Sequence, residues 1–143
     1  MTGKGRAGHR RLPHTADSRL EAWGRTREQC FSEVVRALAE SFVDPPSAPH
    51  TSELPVALAP GTDEELLVAL LEEAVFAVDV LGLVPLTARL SRQDDGGLSG
   101  WFDAVALVDA PQTGSGPKAV TRHGLSVGRD DDGTWRCVVT VDV

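Results

Sequence analysis

The sequence has no tyrosine, only two cysteines and no apolar run of about 18 residues, the length needed to cross a membrane. Two cysteines cannot build the disulfide framework of a small secreted protein. Cys30 and Cys137 each lie among apolar residues, so we predict buried free thiols. The first eleven residues are basic and glycine-rich but lack the apolar segment of a secretory signal. We therefore expect a cytoplasmic protein.

Positive charge is also scarce. The 143 residues include 14 Lys and Arg against 21 Asp and Glu, which gives a formal net charge of −7. Sequence-independent binding of nucleic acid requires clustered cations that neutralise phosphates, and the arginines form no dense run. The acidic balance instead favours docking on a basic partner.

The length suits one domain, residues 11–143, which we expect to follow a flexible tail at residues 1–10. Capping boxes that open at Thr26 and at Thr62 each precede apolar residues at helical spacing, so they predict two amphipathic helices. The fold class is α+β, with both helices packed on a largely antiparallel (mixed) β-sheet. The predicted strands are 20–24, 54–59, 84–90, 98–108, 119–127 and 135–142.

Two carboxylates stand at the two ends of this domain. Asp17 closes His14-Thr15-Ala16-Asp17, and Asp142 comes directly before the terminal Val143. If the fold brings the ends together, these side chains and the Val143 carboxylate form an oxygen cluster that suits Mg²⁺, Mn²⁺ or Ca²⁺. Taken singly, Asp17 is more typical of a turn cap than of a metal ligand, and Asp142 is more typical of a solvated chain end.

Three further side chains are candidates for chemistry. Lys118 follows a glycine-rich loop and opens a predicted strand, where it would either meet a phosphate as a point charge or lie in solvent. His14 would order the Asp17 loop, contact a ligand or bond the backbone, and His123 is equally typical of an ordinary sheet residue. No P-loop, nucleophile elbow or dinucleotide fingerprint accompanies them.

In this order and spacing, the motifs resemble the archease family. The matching stretches are His14-Thr15-Ala16-Asp17, Ala22-Trp23-Gly24, Asp63-Glu64-Glu65-Leu66-Leu67, Leu71-Glu72-Glu73, Lys118-Ala119-Val120-Thr121-Arg122-His123 and Val141-Asp142-Val143. The chain departs from the family pattern at Ser18-Arg19, where apolar residues usually follow the Asp. It departs again at Arg122, where an aromatic residue is typical.

Archeases are protein cofactors of the GTP-dependent RNA ligase that joins 2′,3′-cyclic-phosphate or 3′-phosphate ends to 5′-hydroxyl ends in tRNA splicing and RNA repair. The resemblance implies that this chain promotes guanylylation and repeated turnover of that ligase, is not itself an enzyme, and meets RNA only indirectly. It further implies a divalent metal at Asp17, Asp142 and the Val143 carboxylate. Lys118 matches the functional lysine of the family, and His14 and His123 are candidates for an outer shell around the metal.

Two other functions are alternatives. A stand-alone metal-dependent enzyme acting on phosphate esters would employ the carboxylates directly, although neither an obvious base nor a second metal cluster is apparent. A chaperone-like protein-interaction module would leave the carboxylates incidental. Turnover by the isolated protein favours the first of these, and absence of metal binding favours the second.

Overall fold

The computed structural model describes residues 6–12, 17–47 and 50–143. Within these ranges the chain forms seven strands, two α-helices and two short helical turns. The strands are β1 (Gly8–Leu12), β2 (Asp17–Gly24), β3 (Ser52–Leu58), β4 (Leu83–Arg92), β5 (Leu98–Ala106), β6 (Ala119–Arg129) and β7 (Trp135–Asp142). The helices are α1 (Arg27–Glu40) and α2 (Asp63–Phe76), followed by a π-helical turn (Ala77–Leu81) and, after β5, a 3₁₀ turn (Leu107–Asp109).

The strands form two antiparallel sheets, one with the order β1-β2-β7-β6 and the other with the order β3-β5-β4. Helices packed on antiparallel sheets confirm the predicted α+β class, but the strands divide into two sheets where one was expected. Pro55 helps to explain the division, because a proline cannot donate to a ladder and therefore favours an edge strand. Its strand, β3, pairs only with β5.

Helix α1 forms the centre of the core. Its apolar residues Phe31, Val34 and Leu38 are buried, and the helix contacts β2 of the first sheet and β4 of the second. On the inner face of the first sheet, Leu20 and Val139 are fully buried, as are their neighbours at alternate positions. Because side chains alternate along a strand, the intervening residues of β2 and β7 lie on the outer face of this sheet.

The two thiols meet where α1 packs on the inner face of β7. Cys30 Sγ and Cys137 Sγ lie 2.9 Å apart, and Cys30 Sγ donates to the Ala22 carbonyl oxygen at 3.4 Å. Both residues are buried and free, which confirms the prediction from the sequence.

The predicted helix starts are also confirmed. At Thr62 the capping box is complete: its hydroxyl accepts the Glu65 N–H, and the Glu65 carboxylate accepts the Thr62 N–H. At Thr26 the hydroxyl accepts the Gln29 N–H, but the Gln29 side chain bonds the N–H of Arg25. No helix in the described ranges combines the length and apolar character that a membrane crossing requires.

The N-terminal segment corrects one prediction. A tail at residues 1–10 is wrong for Gly8–Arg10, which belong to β1 and pair with β2. The Nδ1 atom of His9 lies 2.7 Å from Oε1 of Glu33, and its Nε2 atom lies 2.6 Å from Oε1 of Glu40. Both glutamates are on α1. Burial lowers the pKa of His9, but the hydrogen bonds and charges of the two glutamates outweigh it, so the pKa is raised. These contacts, distant in sequence, tie down a segment whose composition is typical of a tail.

Gly100 provides a test of the close pairing between β4 and β5. It pairs with Leu90 at φ 156°, and a Cβ atom added there would lie 1.7 Å from the Arg89 carbonyl oxygen. We expect Gly100→Ala to lower the free energy of unfolding by at least about 2 kcal/mol, because the β4–β5 ladder must open to admit the methyl group.

Urea unfolding of Gly128→Ala gives the matched control. Gly128 also lies in a strand, but an added Cβ would have nothing within 4 Å. We expect that variant to stay within about 0.5 kcal/mol of wild type. Equal midpoints for both variants would show that β4 and β5 are not packed this closely.

Candidate functional site

The carboxylates from the two ends of the domain face each other across the first sheet. Asp17 begins β2, Asp142 ends β7, and the two residues are directly paired in the antiparallel register. Asp142 is exposed, Asp17 is half-buried, and Val143 follows β7 with partial exposure. His14 lies outside the described residues. The fold therefore joins the start of β2 to the end of β7 at this pair, while the part of His14 in the site stays a prediction.

The pairing is electrostatically unfavourable without a counter-charge. A hydrogen bond with Asp17, assisted by partial desolvation and the repulsion between the carboxyls, raises the pKa of Asp142. The charge of Lys118 acts in the opposite direction and lowers the same pKa. The Lys118 N–H also donates to the Asp142 carbonyl oxygen at 2.8 Å, which fixes the start of β6 beside the pair. Two carboxylates and one ammonium group thus share this end of the sheet.

The donor set fits a hard divalent cation. Mg²⁺ is commonly held by one or two carboxylates with water in its remaining positions, so two aspartates suffice as its protein ligands. A cation would also relieve the repulsion that raises the pKa of Asp142. Over residues 6–12, 17–47 and 50–143, no cluster of three or more His, Cys, Asp and Glu side chains is suited to a metal. A third protein oxygen would have to come from another group, such as the predicted Val143 carboxylate.

A shallow groove of about 290 Å³ adjoins Lys118, and its lining combines apolar residues with the acids Glu72 and Asp79. Phe76 and Val80 line it and are 51% and 60% exposed, and Leu81 beside them is also exposed. Many of the large apolar side chains described are buried, although Val108 is 93% exposed. The groove places exposed apolar side chains next to Lys118.

Sequence reasoning missed a polar cavity on the outer face of the first sheet. Arg19, His123, Gly124 and Thr140 line a space of about 260 Å³. Arg19 pairs with Thr140 in the row next to the two aspartates. Alternation along β2 places Asp17 and Arg19 on one face of the sheet. The sequence alone does not show that Thr140 lies beside Arg19, because that placement depends on the β2–β7 register. His123 lines this cavity, and its part in a metal site stays a prediction.

A larger cavity lies elsewhere among the described residues. It measures about 460 Å³ and lies between the end of α1 and the second sheet, with Arg36, Arg89 and Asp103 among its lining residues. Neither paired aspartate nor Lys118 contributes to it. Cavity size alone therefore does not identify the site, and the facing carboxylates are the stronger indication.

Comparison with known proteins agrees with the motifs and the fold. Residues 9–143 match the model of the Archease protein family (MTH1598/TM1083). A "Probable protein archease" of Mycobacterium tuberculosis is 41% identical over 137 residues, which cover 96% of this chain and 75% of that protein. A "Protein archease" of Methanosarcina barkeri is 30% identical over 139 residues, covering 92% and 93% of the two chains.

The solution structure of protein 1598 of Methanobacterium thermoautotrophicum has the same fold. It superposes with a TM-score of 0.76 over 95% of this chain and 99% of that one, at 24% sequence identity. Sequence match over nearly the whole chain and agreement in fold lead to one conclusion: this chain belongs to the archease family.

Proposed function

We propose that this chain is a non-catalytic cytoplasmic cofactor of a GTP-dependent RNA ligase and promotes its guanylylation and repeated turnover in tRNA splicing or RNA repair. The observation that carries the proposal is the pairing of Asp17 with Asp142 beside Lys118. In this proposal the two aspartates hold a divalent cation, and the Val143 carboxylate supplies a further oxygen. Such a cation, when bound, would neutralise and orient phosphate oxygens.

The chain's own groups have separate tasks in this proposal. Asp17 and Asp142 fix the position of positive charge at the end of the sheet, and Lys118 adds a point charge for a phosphate. The groove formed by Phe76 and Val80 would be covered by the ligase, since exposed apolar surface beside a functional site is typical of a protein contact. RNA would meet the protein only through the ligase, in keeping with the net charge of −7.

The first test measures guanylylation of the RNA ligase from the same cell, with and without this protein. We expect wild type to accelerate the step, and Asp142→Ala or Lys118→Ala to leave the ligase at its unassisted rate. Asp131→Ala in the β6–β7 turn is the matched control and should act like wild type. All of these side chains are exposed, so we expect the substitutions to leave the core intact. Equal melting temperatures will show that the variants fold.

Each other result has a definite meaning. Stimulation by Asp142→Ala at the wild-type rate would refute the site. Phosphate-ester hydrolysis by the isolated protein with Mg²⁺ would favour the stand-alone enzyme. If wild type binds no divalent ion and does not affect the ligase, the chaperone-like module becomes the better hypothesis.

The second test follows the pKa of Asp142 by carboxyl ¹³C NMR. Asp17→Asn removes the neighbouring negative charge, so the pKa of Asp142 should fall toward the ordinary aspartate value. Lys118→Met removes the positive charge and should raise it further, and Asp131→Asn should leave it unchanged. A pKa of Asp142 that does not respond to Asp17→Asn would mean that the two carboxyls do not interact.

The sign of the effect on stability follows from the raised pKa. A proton binds the folded form of Asp142 more tightly than the unfolded form, so its stabilising contribution is complete below the unfolded pKa. The contribution is lost as pH rises through the folded pKa. Mg²⁺ should restore stability in that upper range, because it binds the ionised pair.

The third test concerns the last residue. If the Val143 carboxylate is a ligand, a short C-terminal extension should reduce the rise in melting temperature that Mg²⁺ or Ca²⁺ produces, while an N-terminal extension should not. The two extended proteins carry the same added sequence and differ only in its position. Equal metal-induced shifts in melting temperature for both proteins would remove Val143 from the ligand set.

A further inference from the structure

We propose that the cavity of Arg19, His123 and Thr140 is an anion subsite that binds a phosphate group next to the paired aspartates. On the outer face of the first sheet, Arg19 follows Asp17 by two residues and Thr140 precedes Asp142 by two. Residues two apart on a strand are separated by about 7 Å, so the cavity and the carboxylate pair form consecutive rows. The proposal concerns this chain's own side chains and rests on the proposed function only for the source of the phosphate.

Arg19 is the central observation. Its Nε is buried without a hydrogen-bond partner, and none of the carboxylates in the described ranges forms an ion pair with its guanidinium group. A buried donor without a partner is costly, and a guanidinium group is shaped to bind two oxygens of one phosphate. Arg19 is also a position where the chain departs from the pattern of its family.

Neighbouring arginines behave differently. On the same face, Arg10 and Arg136 both pair with Glu21, and Arg136 also contacts Asp130 at 3.2 Å. These contacts neutralise the acidic groups at the far end of the sheet. The Arg19 guanidinium group takes part in none of these ion pairs, so they do not neutralise its positive charge.

The backbone of β6 forms the open side of the cavity. Between Thr121↔Thr140 and Ser126↔Val138 the register shifts, so four residues of β6 face the single Val139 of β7. Gly124 adopts φ 71°, a conformation that favours glycine, and a Cβ atom added there would have nothing within 4 Å. The His123 N–H donates to the Thr121 hydroxyl at 2.9 Å. The bulge thus holds His123 at a cavity large enough for several waters of about 30 Å³ each, and hence for a phosphate.

The direct test titrates ¹⁵N-labelled protein with inorganic pyrophosphate in the absence of divalent metal. We expect amide shifts at Gly124 and Thr140 and at the Arg19 side chain. Arg19→Gln should weaken binding by about tenfold, the loss expected for a hydrogen-bonded charge. His123 is exposed, so His123→Gln keeps the fold and should weaken binding about threefold even if Arg19→Gln proves unstable.

Arg122→Gln is the matched control, since it removes the same charge from the same bulge. Hydrogen bonds from Thr62 lower the pKa of Glu65, and the nearby charge of Arg122 lowers it further. The charge of Arg122 therefore acts on Glu65, in the first turn of α2. We expect its affinity for pyrophosphate to stay within twofold of wild type. Equal weakening by Arg19→Gln and Arg122→Gln would overturn the proposal, as would the absence of amide shifts around the cavity.

Competition identifies the source of the phosphate. GTP and a nucleoside 3′-monophosphate are each added to displace pyrophosphate, and the one that acts at lower concentration is the better ligand. Guanosine, which lacks phosphate, should displace nothing, and displacement by guanosine as strong as by GTP would overturn the anion subsite.

The ligase assay separates this inference from the proposed function. If Arg19→Gln loses pyrophosphate but still accelerates guanylylation as wild type does, the anion subsite stands and the ligase does not use it. If wild type binds pyrophosphate at the cavity but never affects the ligase, the proposed function fails and the subsite remains.

Discussion

The antiparallel pairing of β2 with β7 is the constraint on which both the core and the candidate site depend. Its inner face carries Leu20 and Val139, which are fully buried under α1. A slip of one residue would turn these side chains to solvent and turn the carboxylates into the core. The free energy of apolar burial therefore fixes the register that holds Asp17 against Asp142, although the carboxylates repel each other.

Charge on the outer face of the first sheet is arranged along the strands. At one end, Glu21 lies between Arg10 and Arg136, so the acids there are balanced. At the other end the charge of Lys118 acts on Asp142, which is paired with Asp17. Under our two proposals, two neighbouring sites of opposite preference therefore lie here, one for a cation at the aspartates and one for an anion at the Arg19 cavity. A phosphate bridging a bound cation and the Arg19 guanidinium group would satisfy both.

Much of this structure could be predicted from the sequence, because interactions between residues close in sequence determine where helices begin and which face of a strand is buried. Examples are the capping box at Thr62 and the alternation of β7, which places Asp142 opposite the buried row. The parts that could not be predicted depend on distant partners. The strand β1 is held by contacts of His9 with α1, and the division into two sheets depends on which strands pair.

The candidate site shows the same division between local and distant information. Asp17, Asp142 and Lys118 could be selected from their motifs, but Arg19 gains meaning only from its register with Thr140 and from the bulge before Ser126. A single sequence gives no measure of either feature. The register joins strands that lie more than a hundred residues apart, and the bulge appears only in the pairing of β6 with β7.

In the proposed function, the exposure of Asp142 gives a physical reason for a protein partner. Electrostatic catalysis is strong where water is excluded and the local dielectric constant is low. Asp142 is exposed at the end of a sheet, so a cation bound there in the isolated protein would remain in contact with bulk water. Covering the adjacent groove, which Glu72 and Asp79 line together with Phe76 and Val80, with a complementary protein surface would remove that water and strengthen the electrostatic interactions at this end of the sheet. We infer that association with a protein partner, in addition to the residues of this chain, is what makes the site effective.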